Sequence, residues 1–184
     1  MVIALAGRRI DANDATPARF PLANRDLVRD RLRKTFIEVG ARALVCSGAC
    51  GADLLALEVA GGLAMERSLI LPFGARHFRR VSVADRPGDW GPIFDRVYRE
   101  TQDANQVVTL RGHGHGHAAY DAATRRILEV ALAIARDGSV AGEGAAVTAI
   151  AVWDGSARGP DDLTASFIEN AKHGGMRIRE IATL

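Results

Sequence analysis

Val45-Cys46-Ser47-Gly48-Ala49-Cys50-Gly51-Ala52-Asp53, running on into Leu54-Leu55-Ala56-Leu57-Glu58, is the stretch from which the fold is read. A short apolar run ends in small residues, and a helical pattern begins almost at once. Ser47, Gly48, Ala49 and Gly51 leave a nearly bare backbone at a strand-to-helix corner. Such a corner aims unpaired N–H groups and the positive end of a helix dipole into one small space. That space attracts phosphate or another anion; the other reading of Gly48, Ala49 and Gly51 is a tight strand–helix junction whose small residues only allow close packing. The chain reads first as a binder of a nucleotide-type ligand.

Outward from this corner, strands and helices alternate. Val2 to Ala6 is a buried first strand ending at Gly7, and Asp26 to Val39 carries apolar residues at helical spacing until Gly40 stops it. Ala43 to Cys46 is the second strand and Ala52 to Met65 the second helix. Leu69 to Phe73 is the third strand, followed by an irregular segment from Gly74 to Pro92. Ile93 to Ala104 is helical, Gln106 to Leu110 is the fourth strand, and a strong helix runs from Ala119 to Arg136. Gly138 to Ala146 is a Gly/Ala-rich connection inside the domain. Val147 to Trp153, Asp162 to Lys172 and Arg177 to Ala182 complete the pattern as strand, helix and edge strand. Strands separated by helices in this way make βαβ units and a parallel sheet covered on both faces. The expectation is one α/β domain over residues 1–184, a Rossmann-like three-layer fold whose mainly parallel sheet of six strands is ordered 3-2-1-4-5-6.

The bulk numbers agree with one globular domain. The 184 residues are 48% hydrophobic and 25% charged, ordinary values that exclude wholesale disorder. A formal net charge of +2 is too small to argue for nucleic acid. The basic residues are nearly all arginine, which suits bidentate contact with phosphate and carboxylate. The two cysteines, Cys46 and Cys50, make neither a disulfide framework nor a complete zinc site. They read as reduced thiols of a cytoplasmic protein. The apolar start Met1 to Gly7 is too short for a signal sequence and is followed at once by Arg8, Arg9 and Asp11. No segment approaches a membrane span.

In an open parallel sheet the ligand lies beyond the carboxyl ends of the strands, near the reversal of strand order. Polar and glycine-rich features collect at those ends: Gly7-Arg8-Arg9, Ser47 to Asp53, His113 to Tyr120, and Asp154-Gly155-Ser156. Neither a P-loop nor a G-x-G-x-x-G after the first strand is present. Arg8 and Arg9 either contact phosphate or are solvated at the surface. Asp53 either complements the helix dipole or orients a ligand hydroxyl. Tyr120 either stacks on a base or closes the core boundary.

Ala6-Gly7-Arg8-Arg9, Ser47 to Asp53 and Val152-Trp153-Asp154-Gly155 together resemble the SLOG superfamily. These Rossmann-like domains include Smf/DprA DNA-processing proteins, LONELY GUY phosphoribohydrolases and nucleotide sensors. The resemblance covers most of the chain in order. It implies a nucleotide or nucleotide-derived ligand held by the Gly7 loop and the Gly48-Ala49-Cys50-Gly51 loop, with Asp154, Gly155 and Thr164 lining the other side. It requires no further cofactor. LONELY GUY enzymes carry P-G-G-x-G-T-x-x-E, where this chain has Gly159-Pro160-Asp161-Asp162-Leu163-Thr164, without the paired glycines or the glutamate. That departure favours a sensor or regulatory module over a hydrolase of the nucleotide N-glycosidic bond. Asp161 or Asp162 would be the acid or base of that alternative, or else caps the following helix.

Three further readings concern single groups. Cys50 stands near a helix start, where a thiol pKa falls, and is a weak candidate nucleophile beside the reading of a small buried residue. His113, His115 and His117 alternate with glycine, so in extended chain their imidazoles share one side and could meet a metal; a flexible lid over the ligand is the other reading. The alanine-rich face of the helix from Ala119 to Arg136 offers a surface for a second copy. A DprA-like role on single-stranded DNA needs aromatic platforms, and aromatic residues are only 5% of the chain.

Overall fold

A computed structural model describes residues 1–138 and 146–184; most of the Gly/Ala-rich connection read from the sequence lies outside these. The fold is α/β, with six parallel strands in one sheet: β1 (Val2–Gly7), β2 (Ala43–Cys46), β3 (Glu66–Leu71), β4 (Val107–Thr109), β5 (Val147–Trp153) and β6 (Arg177–Ala182). The helices are α1 (Arg25–Glu38), α2 (Ala52–Gly62), α3 (Ala75–Phe78), α4 (Gly91–Asp103), α5 (His117–Asp137) and α6 (Leu163–His173). A π-helical turn, Arg79–Val83, continues α3. Among the described residues no helix is long and apolar enough to cross a membrane.

Alternation along the central strands sorts the core into two layers. Ile3, Leu5, Leu44, Cys46, Leu69, Leu71, Ile150 and Val152 meet Leu32 and Phe36 of α1, Leu54 and Leu57 of α2, and Phe94 and Val97 of α4. On the other face, Val2, Ala4, Val45, Ile70, Ala149 and Ala151 pack under Ile127 and Ala131 of α5 and Phe167 and Ile168 of α6. Of the alanines of α5, Ala119, Ala123, Ala131 and Ala135 are buried within the chain, whereas Ala118 and Ala133 are exposed.

The strand order is β4-β3-β2-β1-β5-β6, which corrects the expected 3-2-1-4-5-6. The fourth strand continues outward past β3, and the chain reverses one crossover later. α5 makes that reversal. It lies across the sheet face and touches β3, β2, β1 and β5. The reversal puts the crevice between β1 and β5, where α/β sheets of this kind place their ligands.

Gly51 explains how the corner after β2 closes. It has φ +96°, and a Cβ there would stand 2.8 Å from the backbone of Arg8 and of Ile10. The loop leaving β1 thus lies directly on the start of α2. Gly7 is equally tight, since a Cβ would meet Ala52 Cβ and the carbonyl oxygen of Val152 at 2.6 Å. These two glycines let β1, β5 and α2 converge at the floor of the crevice.

Candidate functional site

A cavity of about 630 Å³ opens beyond the carboxyl ends of β1 and β2, a volume in the range of small-molecule sites. Leu5, Ala6 and Gly7 of β1 form its floor, Ala123 and Ile127 of α5 and Leu163 of α6 line it, and the loop from Ala12 to Arg19 borders it. Asp11 positions that loop by accepting the N–H groups of Arg19 and Phe20, both at 2.8 Å. Four arginines, Arg9, Arg19, Arg86 and Arg158, and two aspartates, Asp11 and Asp53, line it; Arg9 and Arg86 pair with Asp85, Arg19 with Asp154 and Arg158 with Asp162, just outside the lining.

Of the residues expected from the sequence, Gly7, Arg9, Ser47, Ala49, Asp53, Tyr120 and Thr164 line the cavity, whereas Arg8, Gly48, Cys50, Gly51, Asp154 and Gly155 do not. Arg8 turns inward. Its Nε donates to Asp154 at 2.9 Å, its Nη1 to Asp162 at 2.6 Å and its Nη2 to the carbonyl of Ser156. The side chains of Arg8 and Asp162 are almost entirely buried. Asp162 is also the N-cap of α6, accepting the N–H groups of Thr164 and Ala165. Burial works against its charge, yet the Arg158 N–H, the Arg8 guanidinium and the Ala165 N–H outweigh it and hold its pKa at about 2. A carboxyl so tied cannot trade protons near neutrality. Asp161 is exposed, and its carbonyl meets His117 Nε2 at 3.1 Å.

The glycine corner is also committed within the chain. Ala49 N–H donates to the Asp53 carboxylate at 3.2 Å, Cys50 N–H to the carbonyl of Ser82 at 2.9 Å, and Ala52 N–H to the carbonyl of Arg8 at 3.1 Å. Three N–H groups that an anion would use are therefore already occupied. Ser47 likewise spends its hydroxyl proton on the carbonyl of Ile70. The missing Cβ of Gly48 points at Leu69 Cδ1, 3.0 Å away, and at the Phe94 ring, which is core and not cavity. Gly48→Ala is accordingly expected to cost about 1 kcal/mol through overpacking and to leave ligand affinity unchanged, as paired urea titrations with and without ligand would register.

Asp53 is the unusual group. It is buried at the first turn of α2, and burial pushes its pKa up to about 7 against the pull of the Ala49 N–H and of Arg9. Cys50 behaves oppositely to a helix-start nucleophile. Burial raises its pKa despite Arg9 and the Ile10 N–H, so it remains a thiol. Tyr120 OH and Ser82 Oγ are 2.9 Å apart, linking α5 to the π-helical turn at the cavity edge.

The three loop histidines go to separate places. His115 stacks on His77 with ring centroids 4.4 Å apart and meets the edge of Phe73. His117 reaches Asp161, and His113 is exposed. Among the described residues no group of three or more His, Cys, Asp or Glu side chains could hold a metal ion. Residues that sequence reasoning missed are Asp11, Arg19, Arg86 and Arg158. Each comes from an irregular segment with no periodicity to mark it.

Compared with protein-family models the chain gives no match, and compared with curated proteins it gives none.

Proposed function

We propose that this chain binds a nucleotide or nucleotide-derived small molecule, in the manner of a SLOG-like sensor or regulatory module. The observation that carries the reading is the cavity at the β1–β5 reversal, with an apolar floor and four arginines around it. An apolar surface suits a base, and guanidinium groups suit phosphate. The aromatic residues of the lining are Phe78, which is fully buried, and Tyr120; this gives single-stranded DNA little to stack on.

A thermal-shift panel of nucleoside mono- and diphosphates and cyclic nucleotides tests the reading. At a ligand concentration about 100-fold above Kd, stabilisation of about 2.7 kcal/mol is expected, a rise of several degrees in Tm. No shift with any of these nucleotides would overturn it.

One observation favours a second, catalytic reading. Asp53 is a cavity carboxyl that titrates near neutrality, as a general acid or base does. Hydrolysis of a nucleotide N-glycosidic bond would then depend on Asp53, not on Asp161 or Asp162. Chromatography of nucleoside monophosphates after incubation reads it: released base that disappears in Asp53→Asn supports hydrolysis, and absence of release excludes it for those substrates.

A further inference from the structure

We propose that Arg9 and Arg86 form a phosphate-binding subsite of the cavity, occupied in the free protein by the carboxylate of Asp85. The inference rests on the small-molecule reading of the cavity and assigns the place where the ligand's phosphate binds.

Arg9 leaves the end of β1, and Arg86 follows the π-helical turn, so two distant segments bring guanidinium groups to one carboxylate. Arg9 Nη2 donates to Asp85 Oδ1, and Arg86 Nε lies 3.7 Å from Asp85 Oδ2. Both arginines line the cavity. The Nε atom of Arg86 is buried without a hydrogen-bond partner. Burial opposes the charge of Arg9, but the Asp85 hydrogen bond and the neighbouring Cys50 raise its pKa and keep it cationic.

Two cations therefore share one anion, with more donors than a carboxylate can satisfy. A guanidinium offers five N–H groups in a planar fork, and Asp85 takes one good bond from the pair. A phosphate group presents three oxygens and up to two negative charges, matching two forks in both number and sign. Asp85 is readily displaced. Its side chain and those of Arg9 and Arg86 are all about one-third exposed, and ion pairs at such positions are weak. Asp85 can turn to water while a ligand takes its place. In the corner after β2, the N–H groups of Ala49, Cys50 and Ala52 are already engaged within the chain.

Calorimetric titration with inorganic pyrophosphate at fixed ionic strength tests the subsite. Asp85→Asn removes the internal competitor and should bind about fivefold more tightly than the parent, the equivalent of a surface ion pair. Arg86→Gln should weaken binding at least about tenfold, the equivalent of a charge-assisted hydrogen bond. Arg126→Gln, an exposed control on α5, should leave binding unchanged, and unchanged melting curves would show that each variant is folded. Failure of Asp85→Asn to tighten binding, failure of Arg86→Gln to weaken it, or no pyrophosphate binding by parent and Asp85→Asn alike would overturn the proposal. Nucleotide binding that is indifferent to all these substitutions would overturn the subsite and leave the nucleotide reading standing. Pyrophosphate binding with the expected pattern, alongside no response to any nucleotide, would do the reverse.

Discussion

Replacing Arg8 by alanine is expected to remove about 3–5 kcal/mol of stability, the usual result of breaking a buried ion pair by deleting one partner. Most of that loss comes from what remains. Asp154 and Asp162 would be left in a site where Arg8 now supplies donors to both carboxylates and to the Ser156 carbonyl. Asp154 would keep Arg19 at 2.6 Å, and Asp162 would keep Arg158 and its two helix-capping N–H groups, so the damage is severe without necessarily abolishing folding. Arg8→Lys should recover little, since one ammonium cannot span three acceptors set around a planar fork. In a double-mutant cycle, Arg8→Ala with Asp154→Ala should lose less than the sum of the single losses. Urea unfolding with a loss under about 1 kcal/mol for Arg8→Ala would contradict the assignment.

The pH dependence of this cluster has a definite sign. Burial disfavours the charge of Asp154, but the Arg8 and Ser156 hydrogen bonds lower its pKa, and that of Asp162 is held at about 2. Depressed carboxyl pKa values stabilise the fold above the unfolded value of about 4, and that stabilisation is lost as pH falls toward about 2. Arg8→Ala should therefore flatten the acid limb of the stability curve as well as lower its plateau.

Most strands and helices were legible because their signals are local. The short apolar run before the small-residue corner marks β2, Gly40 marks the end of α1, and Asp162 caps α6 as an N-terminal acid does. Strand order is not local, since a β-strand followed by a helix has the same pattern whichever neighbour it joins. The site divides similarly. Arg9 and Ser47 follow strand ends and Asp53 stands in the first turn of the helix after β2, and all three line the cavity. Arg8 has the same local setting as Arg9, but its partners are 146 and 154 residues away, so no local pattern separates the structural arginine from the one that faces the cavity. The glycines misdirect for a related reason. Anion capture and tight packing both require a bare backbone, and only the surroundings of Gly51, the Arg8 and Ile10 backbone, assign it to packing.

Asp53→Asn is expected to stabilise the protein at high pH, the opposite of what loss of a helix-start acid ordinarily does. The carboxyl is buried with one hydrogen bond, from Ala49 N–H, and its pKa of about 7 lies above the unfolded value. A raised carboxyl pKa favours folding while the group is protonated; that advantage is lost as pH rises from about 4 through 7. A shift of about three units corresponds to about 4 kcal/mol, an upper bound because the side chain borders the cavity, where water reaches. Asparagine keeps an acceptor for Ala49 N–H and carries no charge to bury. The stability difference between Asp53→Asn and the parent should be near zero at pH 4 and grow to about 1–3 kcal/mol by pH 8. Urea midpoints measured across that range decide it: a flat difference, or destabilisation at pH 8, would show that Asp53 is ionised and stabilised in the fold. The same titration bears on function, because an anionic ligand beside Asp53 makes its ionisation still harder. Binding of a phosphate diester, whose own charge is constant over this range, should weaken as pH rises past about 7, and Asp53→Asn should abolish that dependence.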